Sequence, residues 1–166
     1  MPRIPAIPVE AISQLPLMSR ATIGAQHLDL MGHMNVRHYL GLFDDAAWTF
    51  FESFGMTAEY YRENNTGGFA LEQHIRYLAE VREGETVAIY ARIIARNAKR
   101  VHFMYFMVNE DKQTLSATLE GVGSHADLSI RRTSPYPDFI LQRLDALLDE
   151  QKALTWEAPI CGFISV

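Results

Sequence analysis

After Asn35 the apolar residues fall at Tyr39, Leu40, Phe43, Ala46, Ala47, Phe50, Phe51 and Phe54. Steps of one, three and four put them on one stripe of a helix, which Gly55 stops. A stripe this aromatic predicts a helix wrapped by other elements. Residues 19–25 read as a short strand before it. A second helix is predicted over 57–63 with Thr57 as N-cap, followed by a turn over 64–68. From there the period drops to two. Strands are predicted over 69–78 and over 86–96, where Val87, Ile89, Ala91, Ile93 and Ala95 alternate with mostly polar or small residues, the pattern of a half-buried strand. A turn at 97–100 leads into a strand over 101–109. Val101, Phe103, Tyr105 and Met107 lie on one face of that strand, and Met104, Phe106 and Val108 on the other. One helix covers one face, so the second is expected to meet another subunit. A turn over 110–113, a long strand over 115–131 bent near Gly121 and Gly123, and a terminal helix over 137–153 complete the order.

Pro2, Pro5, Pro8 and Pro16 punctuate the start, so residues 1–18 are expected as an extended proline-rich arm. Residues 137–166 are expected as a C-terminal helix and tail, within a single domain spanning 1–166. The predicted class is α+β, an antiparallel sheet of about five strands around one long central helix.

Composition narrows the function. The chain has 166 residues, 48% of them hydrophobic and 11% aromatic, enough for one core. A net charge of −5 leaves no basic footprint for nucleic acid. No run approaches the roughly 20 apolar residues of a membrane span, and the start lacks the order of a signal peptide, so a cytoplasmic protein without a membrane partner is expected. The single cysteine, Cys161, has no His or acidic neighbour in sequence and is given no catalytic role. His74, His102 and His125 fall on predicted strands at no ligand spacing, so no metal is expected.

The chemistry gathers in Asp29-Leu30-Met31-Gly32-His33-Met34-Asn35, just ahead of the aromatic helix. A helix start presents unpaired N–H groups and a positive dipole end, which polarise a carbonyl and favour a nearby carboxylate in its charged form. By spacing, the backbone N–H of Val36 is the nearest donor and Asn35 the cap. An Asp before a glycine is, alone, a turn residue. In company with Gly32, His33, Asn35 and the helix it reads as catalytic.

This D-x-x-G-H-x-N run and the aromatic helix after it resemble the 4-hydroxybenzoyl-CoA thioesterase branch of the hot-dog fold, with the likeness covering residues 19–132. The resemblance implies an acyl-CoA thioesterase that hydrolyses its substrate to a free acid and coenzyme A, working as a homodimer or homotetramer. Coenzyme A enters as part of the substrate, and no cofactor is expected. It further implies that Asp29 attacks the thioester or activates water, that Gly32 permits the loop path, and that the Val36 N–H polarises the carbonyl. His33 and Asn35 shape the pocket. The branch often carries a second asparagine where this chain has Val36, which removes a side-chain contact and leaves the backbone donor. Glu72-Gln73-His74, Lys99-Arg100 and Ser116-Ala117-Thr118-Leu119-Glu120 are similar to the subgroup associated with carnitine and betaine breakdown. Lys99 and Arg100 read equally as a solvated turn pair or as contacts to the phosphates of coenzyme A. Two alternatives stay open: a non-catalytic acyl-CoA-binding module, and a hydratase or dehydratase using His33 and His38.

Overall fold

The structure, a computed structural model, describes residues 7–166, so the first six residues of the expected arm lie outside it. The chain runs α1 (Val9–Ile12), β1 (Leu17–Thr22), α2 (Val36–Ser53), α3 (Ala58–Asn64), β2 (Thr66–Tyr77), β3 (Thr86–Arg96), β4 (Arg100–Asn109), β5 (Thr114–Asp127), β6 (Arg132–Thr133) and α4 (Asp138–Gln151). The sheet order is β1-β3-β4-β5-β2, with β6 paired to the end of β5. β1 lies antiparallel to β3, Ala21 opposite Val87, with a register shift between Leu17 and Ser19. β3 occupies the predicted range, and Thr57 caps α3 as expected by accepting from the Tyr60 N–H at 3.1 Å.

Besides β1, which ends at Thr22 instead of residue 25, three elements depart from the pattern, each for a local reason. The described part of the arm is not all extended. Pro8 stands just before the first turn of α1, where its missing N–H removes no helical bond, and Ile12 and Leu15 are buried. β2 starts at Thr66 because Asn65, at φ 49°, makes the whole reversal, so Gly67 and Gly68 join the strand. A Cβ on Gly67 would stand 3.1 Å from Leu128 Cδ2, a close approach that its absence permits. β5 ends at Asp127, short of the predicted strand end. Arg131, at φ 49°, turns the chain back so that Arg132 pairs with Asp127.

The chain divides into two compact units. The first holds the described residues up to Thr49 with Ile75–Ala91 and Tyr105–Leu119. The second holds Phe50–His74, Arg92–Met104 and Glu120–Val166. Helix α2 and strands β2 to β5 contribute residues to both. In the first unit Phe43 stacks on Tyr105 at 6.0 Å between ring centroids, and Tyr39 meets Tyr77 edge-on at 5.0 Å. In the second, Phe50 packs on Phe54 and Phe103, each at 5.2 Å. Truncating a buried ring of this kind costs about 3–5 kcal/mol, enough to hold the aromatic stripe against the sheet.

The expectation that a second subunit covers one face of β4 is corrected. Val101, Tyr105 and Met107 on one face and Met104, Phe106 and Val108 on the other are all at most 2% exposed within a single chain. In the second unit the C-terminal segment bonds to β3, a contact that the pattern did not reveal. Ile140 and Leu144 of α4 are buried, the Ile93 N–H donates to Gln151 Oε1 at 2.8 Å, and Arg92 Nη1 donates to the Trp156 carbonyl at 2.7 Å. Among the described residues no helix is long and apolar enough to cross a membrane.

Candidate active site

The loop ahead of α2 is closed by its own backbone. Leu28 bridges Met34, the Asp29 N–H donates to the His33 carbonyl at 3.0 Å, and the Gly32 N–H donates to the Asp29 carbonyl at 3.1 Å. Gly32 makes the reversal at φ 78°, an angle that L side chains rarely adopt. The tip carries Leu30 and Met31, both strongly exposed.

Asp29 Oδ1 accepts from the Met31 N–H at 2.8 Å, while Oδ2 stands 3.6 Å from His33 Nδ1. The two side chains are 23% and 34% exposed, so water reaches both. Asn35 performs the predicted capping. Its Oδ1 accepts from the Arg37 N–H at 3.2 Å and its carbonyl from the His38 N–H at 3.0 Å. Between them the Val36 N–H meets no acceptor among the described residues, as the first N–H of a helix should. His38 Nε2 accepts from Arg37 Nε at 3.1 Å, and burial, then the Arg37 charge, push its pKa below the usual histidine value.

A cavity of about 270 Å³ opens beside this loop in the same unit, with His33, Val36, Tyr39, Tyr77 and Glu80 on its wall. The Met34 N–H, donating to the Val81 carbonyl at 2.8 Å, ties the loop to the segment that carries Glu80. Burial holds the Tyr39 phenol above its ordinary value. Asp29 is not on the wall; it reaches the cavity by way of His33. Of the residues singled out from the sequence, the cavity wall holds His33 and Val36, while Asp29, Gly32 and Asn35 lie in the adjoining loop. The wall adds Tyr77 and Glu80, which sequence reasoning missed because a distant backbone bond delivers them.

Lys99 and Arg100 belong to the second unit, on an exposed turn that is rigidly built. Asn97 Oδ1 accepts from the N–H groups of Lys99 and Arg100 at 2.7 and 2.8 Å, and the Lys99 carbonyl accepts from the His125 N–H at 2.9 Å. The isolation expected of Cys161 is corrected. In space a ligand atom from each of Cys161, His74 and Glu120 lies within 4.8 Å of the other two. Spacing along the chain gave no signal because the sheet and tail bring the three together.

The strand order, the 18-residue helix α2 and the acidic loop at its start define the α+β hot-dog class. A Staphylococcus aureus protein solved in complex with CoA shares this fold, with a TM-score of 0.81 at 24% identity over 92% of this chain and 96% of that one. The chain belongs to the Thioesterase-like superfamily, whose family model matches residues 23–144. It is similar to the L-carnitine dehydrogenase/betainyl-CoA thioesterase of Agrobacterium fabrum, 31% identical over 130 residues that cover 78% of this chain and 26% of that one. It is also similar to the betainyl-CoA thioesterase of Pseudomonas aeruginosa, 24% identical over 143 residues covering 86% and 90%. The chain thus spans about a quarter of the length of the bifunctional relatives it matches.

Proposed function

We propose that this chain is an acyl-CoA thioesterase, a single hot-dog domain that hydrolyses a thioester to a free acid and coenzyme A. The observation that carries the reading is the loop itself: Val36, whose N–H is the unpaired first donor of an 18-residue helix, and His33 line one cavity, and a water-accessible carboxylate stands behind His33. Because His33 lines that cavity and Asp29 stands behind it, the arrangement favours Asp29 as a general base over a direct nucleophile. Water gives its proton to Asp29, its oxygen adds to the thioester carbon, and the Val36 N–H takes up the developing oxyanion. The C–S bond then breaks and the departing sulfur receives the proton from Asp29. Lys99 and Arg100 serve the phosphates of coenzyme A. The hydratase alternative loses support, since His38 Nε2 is already occupied as an acceptor.

The test is thiol release from a panel of acyl-CoAs by wild type and Asp29→Asn. General-base loss predicts a fall in kcat of about 10²–10⁴-fold, whereas equal turnover would end the proposal. A single turnover in heavy-oxygen water should label the acid product and leave Asp29 unlabelled.

The acyl group we propose is a quaternary ammonium acid such as betaine, the group named in the relatives. Tyr39, Tyr77 and Glu80 line the cavity, and although Glu80 Oε1 pairs with Arg82 Nη2 at 2.6 Å, aromatic rings beside a carboxylate suit a trimethylammonium head. Betainyl-CoA should then outperform its neutral isostere, tert-butylacetyl-CoA, in kcat/KM by about tenfold or more, and Glu80→Gln should narrow the gap. Equal use of both substrates by the wild type would remove this assignment. We place the enzyme in the cytoplasm as a homodimer or homotetramer without a nucleic-acid or membrane partner. Support for assembly comes from edge strand β2, where Phe69, Leu71 and Tyr77 are 37%, 45% and 49% exposed.

A further inference from the structure

Glu120 of β5 is 1% exposed, an unusual place for a carboxylate unless its oxygens are satisfied. His102 Nε2–H donates to Oε1 at 2.9 Å, and the Cys161 N–H donates to Oε2 at 2.6 Å. A carboxylate oxygen accepts more than one bond, so each retains a free lone pair. Into this corner come His74 from β2 and Cys161 from the segment after α4, both half-buried. One ligand atom from each of His74, Glu120 and Cys161 lies within 4.8 Å of the other two. All four residues belong to the second unit.

We propose that His74, Glu120 and Cys161 bind one zinc-class divalent cation that fastens the C-terminal tail to the sheet. A thiolate, an imidazole and a carboxylate together select zinc or its tetrahedral analogues over magnesium and calcium, which prefer oxygen alone. Around a tetrahedral zinc the sulfur and nitrogen ligands stand about 3.5 Å apart, so closing on the ion takes about 1 Å of side-chain movement. His102 then acts as a positioning residue, orienting Glu120 by its hydrogen bond. The partial exposure of His74 and Cys161 leaves a fourth position for water. The site is independent of the proposed hydrolysis.

The experiment uses the untagged full chain, stripped by chelator and titrated with Co²⁺. One equivalent should produce a thiolate-to-cobalt charge-transfer band with the intense visible bands of four-coordination, and Zn²⁺ should abolish both. Cys161→Ser should lack the charge-transfer band, His74→Ala should bind about 100-fold more weakly, and His102→Ala about tenfold more weakly while keeping the band. Zn²⁺ should raise the Tm of the wild type and leave that of Cys161→Ser unchanged. A wild type without the band, or a band that survives Cys161→Ser in folded protein, would overturn the proposal and leave Glu120 as a hydrogen-bonded anchor for the tail.

Discussion

Asp29 and Glu120 are held by the same two kinds of group and are suited to opposite tasks. Each carboxylate accepts a backbone N–H on one oxygen, Met31 for Asp29 and Cys161 for Glu120, and has an imidazole beside the other, His33 or His102. Asp29 finds its partners two and four residues away in one loop, and its side chain is 23% exposed. Glu120 finds them 41 and 18 residues away and is 1% exposed. A carboxylate held by its own loop can meet solvent and substrate without the fold depending on it. One held from across the sequence joins distant segments, so its loss leaves buried partners unsatisfied. The proposed function gives the chemistry to the first, and its hydrogen bonds give architecture to the second.

Three substitutions break or sharpen that contrast. Asp29→Asn should produce the largest effect, the fall of about 10²–10⁴-fold in kcat described above, with Tm unchanged. A parallel fall in Tm would show that Asp29 is structural after all. Glu120→Ala should do the reverse in chelator-treated protein. Removing one member of a buried pair costs about 3 kcal/mol, on the order of 10 °C in Tm for a chain this size. Denaturant unfolding of equal midpoint would cancel the architectural role. The smallest effect belongs to cations outside both carboxylate sites. Replacing Lys99 and Arg100 together by alanine should raise KM for acyl-CoA about tenfold with little change in kcat, and added salt should shrink the difference. An unchanged KM would return the pair to solvent.

The same difference explains how much was legible. The loop site was readable because everything that builds it is local. Glycine at the reversal, asparagine at the cap and the aromatic period of α2 lie within 26 residues, from Asp29 to Phe54. The range of β3 was equally clear, but its alternation suggested one buried face, whereas the five successive residues from Val87 to Ala91 are all buried. What stayed hidden was delivered from far along the chain. Tyr77 and Glu80 reach the cavity through the Met34 to Val81 hydrogen bond, and Cys161 reaches Glu120 through a tail with no period of its own. The second cover on β4 was misassigned for the same reason. An apolar face announces that something must cover it, and nothing in its own residues says whether that cover is another chain or this one.

Gly32 carries a further consequence. At φ 78°, with no atom within 4 Å of where a Cβ would sit, the position has room for a side chain and lacks the backbone angle for one. Replacement there is filtered by handedness and hardly at all by volume. Asparagine, which tolerates the left-handed region, is a smaller disturbance than the lighter but branched valine. Drift at this position therefore follows torsional preference, and residue size is a poor guide to what the loop accepts.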